Sequence, residues 1–181
     1  MSLADISPHK SSRTIGGAMK LIQAIAPITV TNSVVFSNIP QTFNHLYAKV
    51  IGRSLYNGGA KDVINLQLNG DTGANYCEQR TEGAASTQTA TIYTSANQIY
   101  LGAMNYAGDT AGYGTIIEIE IPYYTNRIFY KNVISIMGCN ALQDVNNSCY
   151  ASLNPITSMN IYSNNSSNFV LGSQFFLYGI T

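Results

Sequence analysis

One stretch decides the fold of this chain: Thr115-Ile116-Ile117-Glu118-Ile119-Glu120-Ile121. Three of its isoleucines, at 117, 119 and 121, alternate with two glutamates. Side chains that alternate in this way point to opposite faces of a β-strand. The stretch therefore predicts a strand with one apolar, buried face and one acidic, solvated face.

The same alternation recurs along the chain. It is found in residues 33–39, 46–53, 63–68, 89–94, 98–104, 127–137, 149–153, 158–162 and 169–180. β-Branched and aromatic residues dominate these segments, as strands prefer, and Asn-, Gly- and Asp-rich turns separate several of them. About ten short strands at this spacing predict an all-β protein. We expect one antiparallel, jelly-roll-like β-sandwich domain over residues 20–181.

The two ends of the chain differ. Residues 1–19 lack the alternation and hold His9, Lys10 and Arg13 among Ser and Gly, which predicts an extended N-terminal arm; a frayed tail is the alternative. Residues 175–180, by contrast, are almost entirely apolar. We expect them to form a last strand inside a sheet.

The composition is poor in charge and rich in neutral polar groups. Nine basic and nine acidic residues stand among 181, with 13 Tyr, 19 Asn, 17 Ser and 15 Thr. Globular domains are usually about one quarter charged. A net charge of zero with no basic run argues against nucleic-acid binding, and no segment is apolar for long enough to predict a membrane span. Such a surface favours a component of a protein assembly.

Groups suited to catalysis or metal binding are few. His45 is the only plausible histidine base outside the arm, and no Gly-x-Ser-x-Gly motif occurs. Glu118 and Glu120 share one strand face, where solvation explains them better than a glycosidase pair does. Asn69, Asp71 and Asn75 surround a glycine-containing turn that could hold Ca²⁺, but no closing glutamate follows and turns normally carry these residues for backbone reasons. We predict no enzyme activity, no cofactor and no metal site.

The three cysteines Cys77, Cys139 and Cys149 have no metal-like spacing. Free cysteines are often buried, so we expect buried, reduced thiols. A Cys139–Cys149 disulfide across a loop is the alternative.

Tyrosine is the enriched residue that favours an interface, because it combines a rigid ring with a hydrogen-bonding hydroxyl. Tyrosine also favours half-buried sheet faces, which is the competing explanation for each single residue. The candidate subunit-interface residues are Tyr47, Tyr100, Tyr123, Tyr124 and Tyr130.

The order of several segments resembles a family of small structural proteins from tailed bacteriophages. The matching features are Ile39-Pro40 followed by Thr42-Phe43, the turn Asn69-Gly70-Asp71, and the ending Leu177-Tyr178-Gly179-Ile180. The resemblance spans roughly residues 20–180. It implies a jelly-roll-like sandwich within the virion and brings no catalytic residues.

Two hypotheses of function follow from this resemblance. In the first, the chain is a capsid decoration (cement) protein, a homotrimer that binds the major capsid protein on the outer surface of the head. The arm then supplies the docking residues, for which the candidates are Ile6, His9, Lys10, Arg13 and Ile15. In the second, the chain is a tail-fibre or baseplate module that binds a host-surface glycan through Tyr, Asn and Thr.

Overall fold

The computed structural model describes residues 17–181, which form an all-β sandwich. Within that range no residue lies in a helix. The twelve strands are β1 (Met19–Ile25), β2 (Ser33–Phe36), β3 (His45–Gly52), β4 (Asp62–Leu68), β5 (Tyr76–Ala84), β6 (Thr87–Ala96), β7 (Ile99–Met104), β8 (Thr115–Pro122), β9 (Lys131–Cys139), β10 (Leu142–Tyr150), β11 (Met159–Ser163) and β12 (Gln174–Ile180).

The strands form two antiparallel sheets. The large sheet has eight strands in the order β1-β12-β3-β8-β9-β10-β5-β6, and the small sheet has four in the order β2-β11-β4-β7. β12 lies between β1 and β3, so the prediction of an internal last strand is confirmed. The all-β, antiparallel prediction is confirmed as well.

The core lies between the two sheets and is built from alternate residues of each strand. Ile117, Ile119 and Ile121 of the opening stretch are fully buried in it, whereas Glu120 on the other face of β8 is exposed. Phe36 and Leu66 of the small sheet belong to the same buried cluster. The period-two pattern therefore identified the correct buried face of β8.

Two hairpins, β5–β6 and β9–β10, carry the large sheet beyond the small one, and their inward faces are unusually polar. Asp144 and Asn146 of β10 are buried, although they are polar, while Val145 between them is exposed. The side chains of Asn146 and Glu78 form hydrogen bonds with the backbone of β7, which is an edge strand of the small sheet. The Tyr100 amide donates to Glu78 Oε2 over 2.8 Å, and Asn146 Nδ2 donates to the Tyr100 carbonyl over 3.2 Å. Side chains thus satisfy backbone groups that no neighbouring strand pairs.

β7 also approaches β9 closely, and Gly102 is the reason. Its φ is +138°, and a Cβ built on it would lie 2.6 Å from the Cβ of Met137. Only glycine combines this backbone conformation with so close an approach.

Several predicted boundaries differ from the structure. β1, β5 and most of β10 lack an apolar alternation and were not predicted, while residues 127–130 form a loop instead of the start of a strand. β1 begins at Met19, the last residue of the predicted arm, and Met19 pairs with Ile180 of β12. The predicted docking residues Ile6, His9, Lys10, Arg13 and Ile15 lie outside the described residues.

Candidate functional site

The outer face of the large sheet carries a contiguous apolar surface, which we call the apolar face. Its members are exposed by 39–48% and comprise Ile51, Ile116, Ile134, Ile136 and Val145. The strand register places Ile51 opposite Ile116, and Ile136 opposite Val145. Four adjacent strands, β3, β8, β9 and β10, therefore contribute to one patch. Contiguous apolar patches of this kind mark interaction sites in soluble proteins.

Charged groups lie beside and among these aliphatic side chains. Lys49 Nζ lies 3.3 Å from Glu118 Oε1, and Glu118 stands directly opposite Ile136 in the register. Tyr47, half-buried, stands opposite Glu120 in the register. Burial raises the pKa of Tyr47 to about 12, and the hydrogen bond to Glu118 and the negative charge of Glu118 contribute to this rise. The apolar face therefore combines aliphatic side chains with one ion pair, Glu120 and a tyrosine.

A second apolar feature projects from the β8–β9 loop, and we call it the aromatic tip. It consists of Tyr123, Ile128, Phe129 and Tyr130, which are exposed by 57–77%. Backbone contacts hold the loop in a defined shape: Asn126 Oδ1 accepts from the Ile128 amide over 2.6 Å, and the Asn126 amide donates to the Tyr123 carbonyl over 2.9 Å. The apolar side chains are thus presented outward from a fixed backbone.

The five candidate interface tyrosines are divided by the structure. Tyr47, Tyr123 and Tyr130 lie on the outer face or the aromatic tip and are at least partly exposed. Tyr100 and Tyr124 do not fit the prediction, because both side chains are buried within the domain. The Tyr100 hydroxyl donates to Asp144 Oδ2 over 3.1 Å, and the Tyr124 hydroxyl donates to the Pro40 carbonyl. Sequence alternation could not separate the two groups, because tyrosine occurs on both kinds of face.

The residues considered for catalysis and metal binding have structural partners. His45 Nδ1 accepts from the Tyr123 amide over 3.3 Å, and the two rings meet edge to face at 4.7 Å. Asp71 accepts from the Gly73 amide and from Asn75 Nδ2 at 2.8–3.2 Å, and these bonds lower its pKa. A carboxylate surrounded by donors in this way stabilises the turn. Within residues 17–181, no group of three or more His, Cys, Asp or Glu residues is placed to hold a metal ion.

The cysteines are free thiols, each partly buried. Cys139 and Cys149 lie at opposite ends of the β9–β10 hairpin, since Cys149 faces Asn132 and Cys139 faces Leu142. Seven residue steps along a strand, at about 3.3 Å each, separate them far beyond disulfide distance. The alternative of a Cys139–Cys149 bond is therefore wrong. Cys149 instead stands directly opposite Cys77 on β5.

Comparison with known proteins adds no family to these observations. No protein-family model matches the chain, and no curated protein is similar enough to count as a relative. Across residues 17–181 the structure has no helix of the length and apolar character needed to cross a membrane.

Proposed function

We propose that this chain is a structural protein of a tailed-bacteriophage virion, and that it decorates the outer surface of the capsid. The observation that carries the proposal is the apolar face: a sheet surface of five aliphatic side chains on a chain with only 18 charged residues. Low charge and exposed apolar area lower the solubility of a free monomer, but both suit a subunit whose surface is covered. The order of the sequence segments resembles that of phage structural proteins, and for this reason we propose the virion as the assembly.

The strand order supports a jelly-roll interpretation of the domain. When the β5–β6 and β9–β10 hairpins are set aside, β1-β12-β3-β8 faces β2-β11-β4-β7. Eight strands arranged as two interlocked Greek keys in two such sheets are the jelly-roll plan, which viral structural proteins often use. In this interpretation the hairpins are additions, and β9 and β10 supply three of the five residues of the apolar face.

In the proposed assembly, a homotrimer forms through the apolar face and its border, including Tyr47. The N-terminal arm docks on the major capsid protein. Closed symmetry is the norm for homo-oligomers, and a three-fold axis matches the symmetry positions that a capsid surface offers. The protein needs no catalytic group for this role.

The contact between subunits is tested by placing a charge on the apolar face. Ile136→Glu buries a carboxylate in the proposed interface, and the desolvation of that charge opposes assembly. We expect light scattering coupled to gel filtration to report a trimer for the wild type and a monomer for this variant. The matched control is Ile28→Glu, at an exposed isoleucine between β1 and β2, which should remain trimeric. A monomeric wild type, or a trimeric Ile136→Glu variant, contradicts the proposed contact.

Capsid binding is tested separately, with isolated heads of the phage that encodes the chain. A variant lacking residues 1–16 keeps all of β1. We expect the full chain to co-sediment with the heads and the shortened chain to remain in solution while keeping its thermal unfolding transition. Equal co-sedimentation of both chains refutes the docking role of the arm. Binding to purified tails and not to heads favours the tail-fibre or baseplate alternative.

A further inference from the structure

A groove lies beside the edge of the small sheet, where the β5–β6 hairpin overhangs it. Its volume is 510 Å³. Its walls come from β4, β5, β6 and β7, from Leu142 of β10, and from the loops at Lys61, Asn97 and Asn164. Binding sites for small molecules typically have volumes of about 300–1,000 Å³. The groove is separate from the apolar face, which lies on the opposite surface of the large sheet.

Arg80 lines the groove and stacks there on aromatic rings. Its guanidinium carbon lies 4.1 Å from the centroid of the Tyr100 ring and 5.6 Å from that of Tyr93. Among the described residues it forms no ion pair, since the two salt bridges there join Lys49 to Glu118 and Lys61 to Asp109. Stacking fixes the orientation of a guanidinium without engaging its N–H groups. Those groups are therefore available to a ligand.

Acceptors surround this donor. Glu78 is buried and uses Oε2 to accept from the Tyr100 amide, which leaves its other oxygen for a ligand. Glu82 lines the same wall. Asn65, only 1% exposed, donates through Nδ2 to Asn164 over 3.1 Å, but its Oδ1 has no hydrogen-bond partner in the described part of the chain. A buried acceptor without a partner is unfavourable unless something else satisfies it.

The charges of the groove select the class of ligand. Lys61 is neutralised by Asp109 at 2.8 Å, so one free guanidinium stands beside the carboxyl groups of Glu78 and Glu82. An anion would be repelled by the two carboxyl groups, whereas a cation would meet attraction from these groups and repulsion from Arg80. A neutral ligand that both donates and accepts hydrogen bonds is compatible with all three groups, and vicinal hydroxyls do both. Tyr93, which is about half exposed, offers a ring face to the apolar side of such a ligand.

We propose that this groove binds a neutral saccharide. Arg80 donates to one pair of hydroxyls, and the carboxyl groups of Glu78 and Glu82 accept from others. Tyr93 stacks against the C–H face of the sugar ring, and a further hydroxyl donates to Asn65. The site is independent of where the protein sits in an assembly, because it uses neither the apolar face nor the arm.

The test is binding of the full chain to an array of neutral oligosaccharides, with acidic and amino sugars on the same array. Positive ligands are then titrated in solution by saturation-transfer NMR. We expect at least one neutral oligosaccharide to bind. Because each hydrogen bond to a charged group contributes about 1.5–3 kcal/mol, Arg80→Gln and Glu82→Gln should each weaken binding by roughly tenfold or more. Tyr93→Ala should also abolish the stacking contact and reduce binding.

The matched control is Tyr123→Ala, which removes an exposed tyrosine on the aromatic tip and should leave saccharide binding unchanged. Glu82 is half-buried on an overhanging strand, so its variant keeps the test decisive if Arg80→Gln does not fold. The proposal is overturned if no neutral saccharide binds, if only charged sugars bind, or if folded Glu82→Gln and Tyr93→Ala variants bind like the wild type.

Discussion

Asp144 provides a prediction whose size follows from the structure. Its carboxyl group is fully buried on β10, and one oxygen accepts from the Tyr100 hydroxyl over 3.1 Å. Burial raises the pKa of Asp144 from 3.8 to about 6; Glu82 adds to the rise, while the Tyr100 hydrogen bond and Arg80 oppose it. At about 1.4 kcal/mol for each pKa unit, this change corresponds to about 3 kcal/mol.

The sign follows from proton linkage. Between pH 4 and pH 6 the folded state binds more protons at Asp144 than the unfolded state, so this group makes the protein less stable as the pH rises. Asp144→Asn does not titrate and keeps an acceptor for Tyr100. The unfolded-state carboxyl is already partly ionised at pH 4, so we expect the free energy of unfolding of this variant, relative to the wild type, to increase by about 2 kcal/mol from pH 4 to pH 7. Burial also raises the pKa of Glu78, but this group is present in both proteins and cancels to a first approximation.

Urea unfolding of both proteins at four or more pH values between 4 and 7 measures this difference. Glu120→Gln, which removes an exposed carboxylate on the outer face of β8, is the control and should follow the wild-type pH profile. A difference between Asp144→Asn and wild type that is constant over this range, or that decreases as the pH rises, refutes the account of Asp144.

Three further predictions concern packing, a loop and the thiols. Gly102→Ala should lower the free energy of unfolding by roughly 2–4 kcal/mol, because the new methyl group meets Met137 and the positive φ of this residue is unfavourable for alanine. Thermal and urea unfolding measure this loss. Arg53 donates to the carbonyls of residues 107, 109, 110 and 113, so Arg53→Ala should increase the rate of proteolysis within that loop. Treatment with diamide should oxidise Cys77 and Cys149 to an intramolecular disulfide, because they are directly opposed across β5 and β10; peptide mapping without reduction detects it.

Each of these predictions has a control or a contrary outcome. Gly138→Ala places a methyl group in open space on β9, so it should be nearly neutral, and an equal loss at both glycines contradicts the packing argument. Arg127 is exposed, and Arg127→Ala should leave proteolysis of the 107–113 loop unchanged. A diamide product that joins Cys139 to Cys149 would contradict the register of the β9–β10 hairpin.

The sequence predicted β8, whose buried face is apolar, and missed β5 and most of β10, whose buried faces include polar side chains. In β8 the buried residues are isoleucines, so the alternation was read correctly. In β10 the buried residues include Asp144 and Asn146, while Val145 points outward. The usual relation between hydrophobicity and burial is therefore reversed in this strand, and no rule based on period two recovers it.

A similar exchange of apolar and polar faces explains why the sequence did not predict the candidate sites. Ile134 and Ile136 of β9 are the kind of residues that a sequence argument assigns to a core, yet they form the apolar face. The groove depends on Glu78 and Arg80 of β5 meeting Tyr100 of β7, residues that only the order of strands in the two sheets brings together. Composition alone predicted a surface suited to being covered, and it carried no information on which strands would expose aliphatic side chains.

The central proposal is that neighbouring proteins on a phage head cover the apolar face. A cryo-electron microscopy reconstruction of the phage that encodes this chain tests it most directly. We predict density for the chain on the outer capsid surface, grouped in threes, with Ile116 and Ile136 buried against a neighbouring copy. Density for the chain at the tail, or on the head with both isoleucines facing solvent, would contradict the proposal.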